Sequence, residues 1–232
     1  MCGRYNVLTS AQGFLDLLQI LVRLDSSLEN TPRYNISPTQ GVLTVYRPYP
    51  NSAVHLAELR WGLIPHWAKE MSIGNRLINA RAETAAIKPA FRAAYQSKRC
   101  LIAADGWYEW KKTNGHKQPY NIRRQDRLPF YFAGLWESWK GRVGEESVLL
   151  YSCTILTAEA CESLIALHPR MPVVLAPEHY EQWLDSGLTE THSIQAIIQS
   201  RPMDIFEAYP VSNCVNKPSD NLPKCIEPIS GE

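Results

Sequence analysis

The chain has 232 residues, of which 45% are hydrophobic and 20% charged, with a formal net charge of +1 at pH 7. That composition suits one domain with a substantial core and excludes a disordered or fibrous chain, and no stretch approaches the ~20 apolar residues that a bilayer span needs. The near-neutral balance also excludes a surface that is basic throughout, so any phosphate-binding surface must be a local patch balanced by acids elsewhere.

Residues 14–22 form the longest apolar segment near the start. They contain Asp16 and Gln19 and follow a polar stretch instead of a basic leader, so no secretory signal is expected and the cytoplasm is the expected compartment. In chain order, the pattern then predicts a helix over 11–24, with Ser10 as N-cap and Phe14, Leu17, Leu18, Leu21 and Val22 on one face. A loop carrying Pro32 and Pro38 follows over 31–40, then strands over 43–46 and 54–61. Residues 62–79 read as a long irregular segment, a feature often functional in compact domains. Short helices are expected over 80–87 and 90–97. A β-rich centre comes next, with strands over 99–104, 107–112, 118–123, 130–136 and 148–156. A helix over 157–167 with Thr157 as N-cap, a short strand over 173–175, a helix over 177–186 opening on Pro177, a helix over 193–199 and a strand over 206–211 complete the core. Beyond about residue 212 the chain reads as a surface tail, partly irregular. Strands outnumber helices and come in a run, so the expected fold class is α+β with a curved, mostly antiparallel sheet in a single domain over 1–232.

Six cysteines, at 2, 100, 153, 161, 214 and 225, form no CxxC pair and no zinc-type spacing, so no metal is expected. Cys100 and Cys153 lie in apolar runs and read as buried free thiols. Cys2 differs by position. Removal of Met1 would give it a free α-amine beside its thiol, and that pair condenses with an aldehyde, first as a Schiff base and then as a five-membered thiazolidine. The amine titrates near ~7.7–8 and the thiol near ~8.5, so both are partly available at neutral pH.

Four further clusters carry possible chemistry. In Asn79-Ala80-Arg81-Ala82-Glu83-Thr84, Asn79 suits either a helix cap or an amide that holds a sugar hydroxyl or aldehyde oxygen. Arg81 and Glu83 suit a solvated pair or a phosphate clamp oriented by the carboxylate. In Asp105-Gly106-Trp107-Tyr108-Glu109-Trp110, strand alternation puts Trp107 and Glu109 on one face and Tyr108 and Trp110 on the other. Glu109 is then either an exposed acid on an edge strand or a carboxyl among rings, its pKa raised towards the range useful for proton transfer. His168, before Pro169, sits in extended chain with Arg170 two residues on. In Trp61-Gly62-Leu63-Ile64-Pro65-His66-Trp67, Trp61 suits the core and Trp67 suits stacking on an exposed base.

Taken together with Met1-Cys2-Gly3-Arg4-Tyr5, Arg33-Tyr34-Asn35-Ile36-Ser37-Pro38-Thr39 and residues 168–175, these segments resemble the SRAP family, the SOS-response-associated proteins that shield abasic sites in single-stranded DNA. The resemblance spans nearly the whole chain and implies an α+β fold around a barrel-like sheet. It implies Cys2 as the covalent nucleophile, Asn79 positioning the opened sugar, Glu109 as proton shuttle and His168 as a second acid/base. It implies phosphate contacts from Arg4, Arg81 and Arg170, with Pro38 as a wedge and Trp67 as a stacking surface. It further implies a weak lyase activity through the Schiff base, self-processing at Met1, single-stranded abasic DNA as partner, a monomer, and no cofactor, since the substrate supplies the electrophile. Two other readings compete. An N-terminal-nucleophile amidase would also use Cys2 and its amine. A non-enzymatic single-strand binder using Trp67 and the arginines would bind in a fully salt-reversible way.

Overall fold

In the computed structural model, residues 2–18, 20, 22–24, 31–50, 52–113 and 115–229 are described. The strands, in chain order, are β1 (Tyr5–Val7), β2 (Val22–Leu24), β3 (Arg33–Ile36), β4 (Gly41–Tyr46), β5 (Val54–Trp61), β6 (Asn79–Arg81) and β7 (Arg99–Ala104). They continue as β8 (Gly106–Thr113), β9 (His116–Arg124), β10 (Phe130–Val143), β11 (Glu146–Glu159), β12 (Arg170–Pro172) and β13 (Phe206–Pro210). The α-helices are short: α1 (Ala11–Leu15), α2 (Ala82–Ala85), α3 (Arg92–Ser97), α4 (Glu162–Ile165), α5 (Tyr180–Leu184) and α6 (Thr191–Gln199). None of them is long and apolar enough to cross a membrane. This is the α+β class expected from the run of strands.

Two sheets organise the molecule. In the larger, β10 pairs with β11 and β7, β7 with β4, β4 with β5, and β5 closes back on β11 through Ser152↔Arg60 and Cys153↔Trp61. The result is a five-stranded barrel, and closure removes the exposed edges that an open sheet would leave. Outside the ring, β12 and β6 both pair with β11, and β2 pairs with β5. The second sheet has the order β13-β9-β8-β1-β3 and is antiparallel throughout.

Aromatic rings join the sheets. Tyr5 and Trp107 from the five-stranded sheet meet Trp61 and Phe132 of the barrel edge-on, with centroids 5.2 Å apart for Tyr5–Trp61, 5.7 Å for Tyr5–Phe132 and 6.1 Å for Trp107–Phe132. Edge-to-face packing satisfies the ring quadrupoles, and fully burying each such side chain contributes ~1.5–3 kcal/mol. Cys100 and Cys153 are fully buried free thiols in this core, and Trp61 lies there too.

Several local expectations yield to tertiary pairing. The helix predicted over 11–24 has its expected cap, the Ser10 hydroxyl accepting from Gly13 N, but ends at Leu15. Val22–Leu24 is instead a strand held by β5 in parallel register; Gln19 and Leu21 lie outside the described residues. The loop predicted over 31–40 contains β3, because Tyr5 and Val7 offer it a partner and the two prolines bracket the strand without interrupting it. The helix predicted from Thr157 is the largest departure. Thr157, Ala158 and Glu159 extend β11, since β12 and β6 satisfy the backbone on both sides, and a helix forms only over Glu162–Ile165. Likewise Asn79–Arg81 is a strand before α2, helix starts at Arg92 after Ala90, and regular pairing falls on Arg170–Pro172, with Val174 making only a bridge to Phe132. The helix expected over 177–186 opens as a 3-10 turn, Pro177–His179.

The long segment over 62–79 is ordered around a 3-10 helix, Met71–Arg76. It folds back where Gly62 and Gly74 cross: a Cβ on Gly62 would lie 2.5 Å from the Gly74 carbonyl oxygen, and Gly62 adopts a φ of +121° that side chains disfavour. The segment after 212 is more than a surface tail. Its 3-10 turns, Asn213–Asn216 and Pro223–Cys225, bury Val215 and Cys225 against Tyr108 and Val211.

Candidate functional site

The site forms where the two sheets meet. β1 pairs with β8 in the register Tyr5↔Trp107, and the pairing continues outward as Tyr108 N donates to the Arg4 carbonyl at 3.0 Å. The same register carries residues 2–4 alongside Tyr108, Glu109 and Trp110. From the barrel side, β11 is flanked by β6, with Ile155↔Asn79 and Thr157↔Arg81, and by β12, with Thr157↔Pro172 and Glu159↔Arg170. One strand thus presents Asn79 and Arg81 on one side and the His168–Arg170 segment on the other.

A hydrogen bond ties the two halves: Asn79 Nδ2 donates to the Cys2 carbonyl at 2.7 Å. The other amide atom, Asn79 Oδ1, is buried and has no hydrogen-bond partner among the described residues. Asn79 is therefore neither a helix cap nor a saturated core amide. A buried acceptor without a donor carries a desolvation cost of ~1–3 kcal/mol, which an incoming hydroxyl would relieve.

Cys2 has no solvent exposure, and its Sγ lies 3.7 Å from the Arg4 carbonyl. Burial pushes its thiol pKa far up, and the neighbouring Glu109 carboxylate adds to the rise. The resting Cys2 side chain is thus a neutral thiol that would need a base to become a nucleophile. Glu109 is buried as well, which rules out the exposed edge-strand acid. Burial raises its carboxyl pKa, opposed by the positive charges of the chain's α-amino group and of His168. A carboxyl raised in this way can hold and return a proton closer to neutrality than a solvated one. The His168 ring is positioned by its own chain: Nδ1 lies 3.0 Å from both the Arg170 N–H and the Arg170 carbonyl. As acceptor from the N–H, Nδ1 leaves the ring proton on Nε2; as donor to the carbonyl, it accommodates the imidazolium. Cys2, Asn79, Glu109 and His168 are thus brought together from four separate stretches of chain.

The arginines differ from one another. Arg81 is exposed and has no hydrogen bond or ion pair among the described residues. Arg170 makes a two-pronged pair with Glu83, both contacts at 2.9 Å, and also donates to the Thr157 carbonyl. Glu83 titrates low: burial pushes it up, but the hydrogen bonds from Arg170 pull it down further. Glu83 is therefore the hydrogen-bonded partner of Arg170, and Arg81 acts on it through its charge alone. Arg4 commits its guanidinium to Asn35 Oδ1 at 2.7 Å, the Val215 carbonyl at 2.6 Å and the Asn216 carbonyl at 3.3 Å, bracing the C-terminal segment.

Pro38 and Trp67 lie on loops away from this hydrogen-bonded cluster. Pro38 precedes Thr39 in the turn between β3 and β4, where Thr39 has a φ of 77° and donates its N–H to the Trp61 carbonyl at 2.8 Å. Trp67 is 53% exposed, on a loop pinned from beneath by the bond from Trp139 Nε1 to the Ala68 carbonyl at 2.7 Å.

Two supporting residues escaped the sequence reading. Buried Asn35 donates to the carbonyls of Val215, Lys217 and Asp220 while accepting from Arg4. Asp105 accepts from Leu8 N, Thr9 N and Thr9 Oγ1, which locks the end of β1 beside β8. Both sit inside motifs the sequence displays, but all their partners except Arg4 lie about a hundred or more positions away, and no local pattern signals them.

The fold and this inter-sheet site define a class. The sequence profile of the SOS response associated peptidase (SRAP) family matches residues 1–218, and the chain belongs to that family. Among its relatives, the chain is 41% identical over 228 residues to the abasic site processing protein YoqW of Bacillus subtilis (strain 168), covering 98% of this chain and 99% of that one. It is 32% identical over 232 residues to the abasic site processing protein YedK of Escherichia coli (strain K12), covering 99% and 100%. A solved structure of a protein from Bacteroides thetaiotaomicron superposes with a TM-score of 0.78 at 25% identity, over 99% of this chain and 100% of that one.

Proposed function

We propose that this chain, once Met1 is removed, captures abasic sites in single-stranded DNA as a covalent thiazolidine on Cys2. The observation that carries the reading is the convergence of the Cys2 backbone, a buried raised carboxyl and an unsatisfied amide oxygen at one junction. The names of its relatives supply the substrate class.

The freed α-amine adds to C1′ of the open-chain aldehyde, giving a carbinolamine. Glu109 protonates its hydroxyl, water leaves, and a Schiff base forms. The thiol then adds to the same carbon, its proton passing to Glu109, and the five-membered ring closes. Asn79 Oδ1 accepts from a hydroxyl of the opened sugar, while its Nδ2 holds the Cys2 carbonyl. His168 serves as acid/base towards the ring-opened sugar. The Schiff base also permits β-elimination, so a weak lyase activity branches from the same intermediate. Removal of Met1 by the site itself belongs to the same reading: the Cys2 thiol attacks the Met1 carbonyl, the Met1–Cys2 C–N bond breaks as its nitrogen takes up the thiol proton to become the Cys2 amine, and water hydrolyses the thioester, releasing methionine and returning the thiol. Arg81 is the exposed phosphate contact, Arg4 and Arg170 add positive charge behind it, Pro38 is the wedge and Trp67 offers a stacking face. The protein acts as a monomer on this reading.

The test is a denaturing gel of the protein mixed with single-stranded DNA carrying one abasic site. A retarded band that survives heat and detergent without borohydride supports the reading. Binding that salt reverses completely, with no such band, refutes it in favour of a non-covalent binder. Turnover of simple amides without any DNA adduct refutes it in favour of an amidase.

A further inference from the structure

Beside the Arg170–Glu83 pair lies a recess of about 400 Å³ that the chemistry above does not use. Its floor is apolar and buried: Ala82 from α2, Ala158 from β11 and Ile198 from α6. Gln195, Gln199, Arg201, Glu83 and Glu159 supply its polar lining. Arg201 is held in place by bonds to the carbonyls of Ile198 and Glu159, both at 3.2 Å, yet its Nε is buried and has no hydrogen-bond partner among the described residues. The Nε of Arg170 is in the same condition.

We propose that this recess takes an unstacked nucleobase of the bound strand, close to the captured sugar. The inference rests on the DNA reading above and extends it. The chemistry of the lining selects the ligand. One arginine and two glutamates line the recess, an excess of negative charge that disfavours a phosphate. Two amides supply donors and acceptors together, as a base edge requires, and the apolar side chains of Ala82, Ala158 and Ile198 can receive a ring face. The recess is also continuous with the site: Arg81 immediately precedes Ala82, and Glu83 belongs both to the recess and to the pair with Arg170. A strand whose phosphates follow Arg81 and Arg170 would pass its next base over this opening. Recognition of unpaired bases by side-chain amides and guanidinium groups is general chemistry for single strands.

The experiment uses non-covalent binding, followed by anisotropy, to single strands bearing a tetrahydrofuran lesion, which has no aldehyde. A second tetrahydrofuran is moved through each flanking position, deleting one base at a time. At one position the loss of the base should weaken binding by the parent roughly 3–10-fold, the scale of one or two hydrogen bonds. Gln199→Ala, at an exposed position on α6, and Gln195→Ala should be insensitive to base deletion at that position while retaining the parent's response elsewhere. A flat profile in the parent, or an undiminished response in both variants, overturns the base site. A parent that also fails to cross-link a true abasic strand overturns the underlying function, and the two failures are told apart by the gel.

A separate geometry concerns the C-terminal segment. Cys214 and Cys225 are free thiols with Sγ atoms 3.4 Å apart, and the chain between them supplies the carbonyls that hold Arg4 and Asn35. We infer that these two cysteines form a disulfide under oxidising conditions. The two thiols give up two protons and two electrons to a low-molecular-weight disulfide, which departs as two thiols. Closing so short a loop should raise Tm by roughly 5–11 °C on the chain-entropy relation. Incubation with oxidised glutathione should lower the intact mass by about 2 Da and raise Tm in the parent but not in Cys225→Ser. Persistence of both thiols to alkylation after denaturation would overturn it.

Discussion

Glu109→Gln tests the proton path most directly. The substitution keeps shape and hydrogen-bonding capacity but cannot transfer a proton. Glu109 is buried between the start of the chain and His168, and its two proposed tasks are to protonate the leaving hydroxyl and to take the thiol proton. General acid–base catalysis contributes ~10²–10⁴-fold, equivalent to ~2.7–5.5 kcal/mol of barrier. Single-turnover adduct formation on abasic single-stranded DNA should slow by that factor, with non-covalent affinity nearly intact. Stability separates this from a structural loss. Because the folded carboxyl titrates above its unfolded value of ~4.3, its contribution to stability is full below that value and is lost as pH rises through the raised one. Gln carries no such charge, so the Tm of the variant relative to the parent should rise with pH. Cross-linking at the parental rate at every pH would make Glu109 a structural carboxylate, with His168 and Glu83 the next candidates. A variant Tm that falls behind the parent's with rising pH would refute the burial argument.

Other perturbations separate the remaining roles. Cys2→Ala should abolish the borohydride-independent adduct and leave most affinity, since only the thiol closes the ring; an undiminished adduct on a denaturing gel would exclude the thiazolidine. Arg81→Ala should weaken binding with little sequence dependence and lower the salt slope by roughly 0.7 in a titration of affinity against salt, because its exposed guanidinium has phosphate as its proposed partner. Arg4→Ala should cost about 2–3 kcal/mol of stability by denaturant unfolding, since it strands Asn35 Oδ1 and the Asn216 carbonyl and leaves Val215 with Asn35 alone; a loss of affinity without a loss of stability would make it a DNA contact first.

Much of the site was legible in the chain as residue types at particular positions. An N-terminal cysteine offers amine and thiol by covalent connectivity alone. The alternation of Trp107, Tyr108, Glu109 and Trp110 correctly separates the face that joins the main core from the face that meets the C-terminal segment, because a strand's period of two is local geometry. The α+β class followed from the run of strands for the same reason. What the sequence could not determine is everything that depends on a partner across the fold. Thr157 has the makings of a helix cap, yet it is a buried strand residue because β6 and β12 pair with β11 on either side. Arg81 and Arg170 look alike in sequence, and only the arrival of α2 next to β12 makes one a pinned ion pair and leaves the other open to solvent. The barrel itself closes through two residue pairs between β5 and β11, some ninety positions apart, a contact whose energy is non-local and leaves no periodic mark on either strand. The pKa of Glu109 belongs to the same category, since desolvation is set by what surrounds the carboxyl and not by its neighbours in the chain.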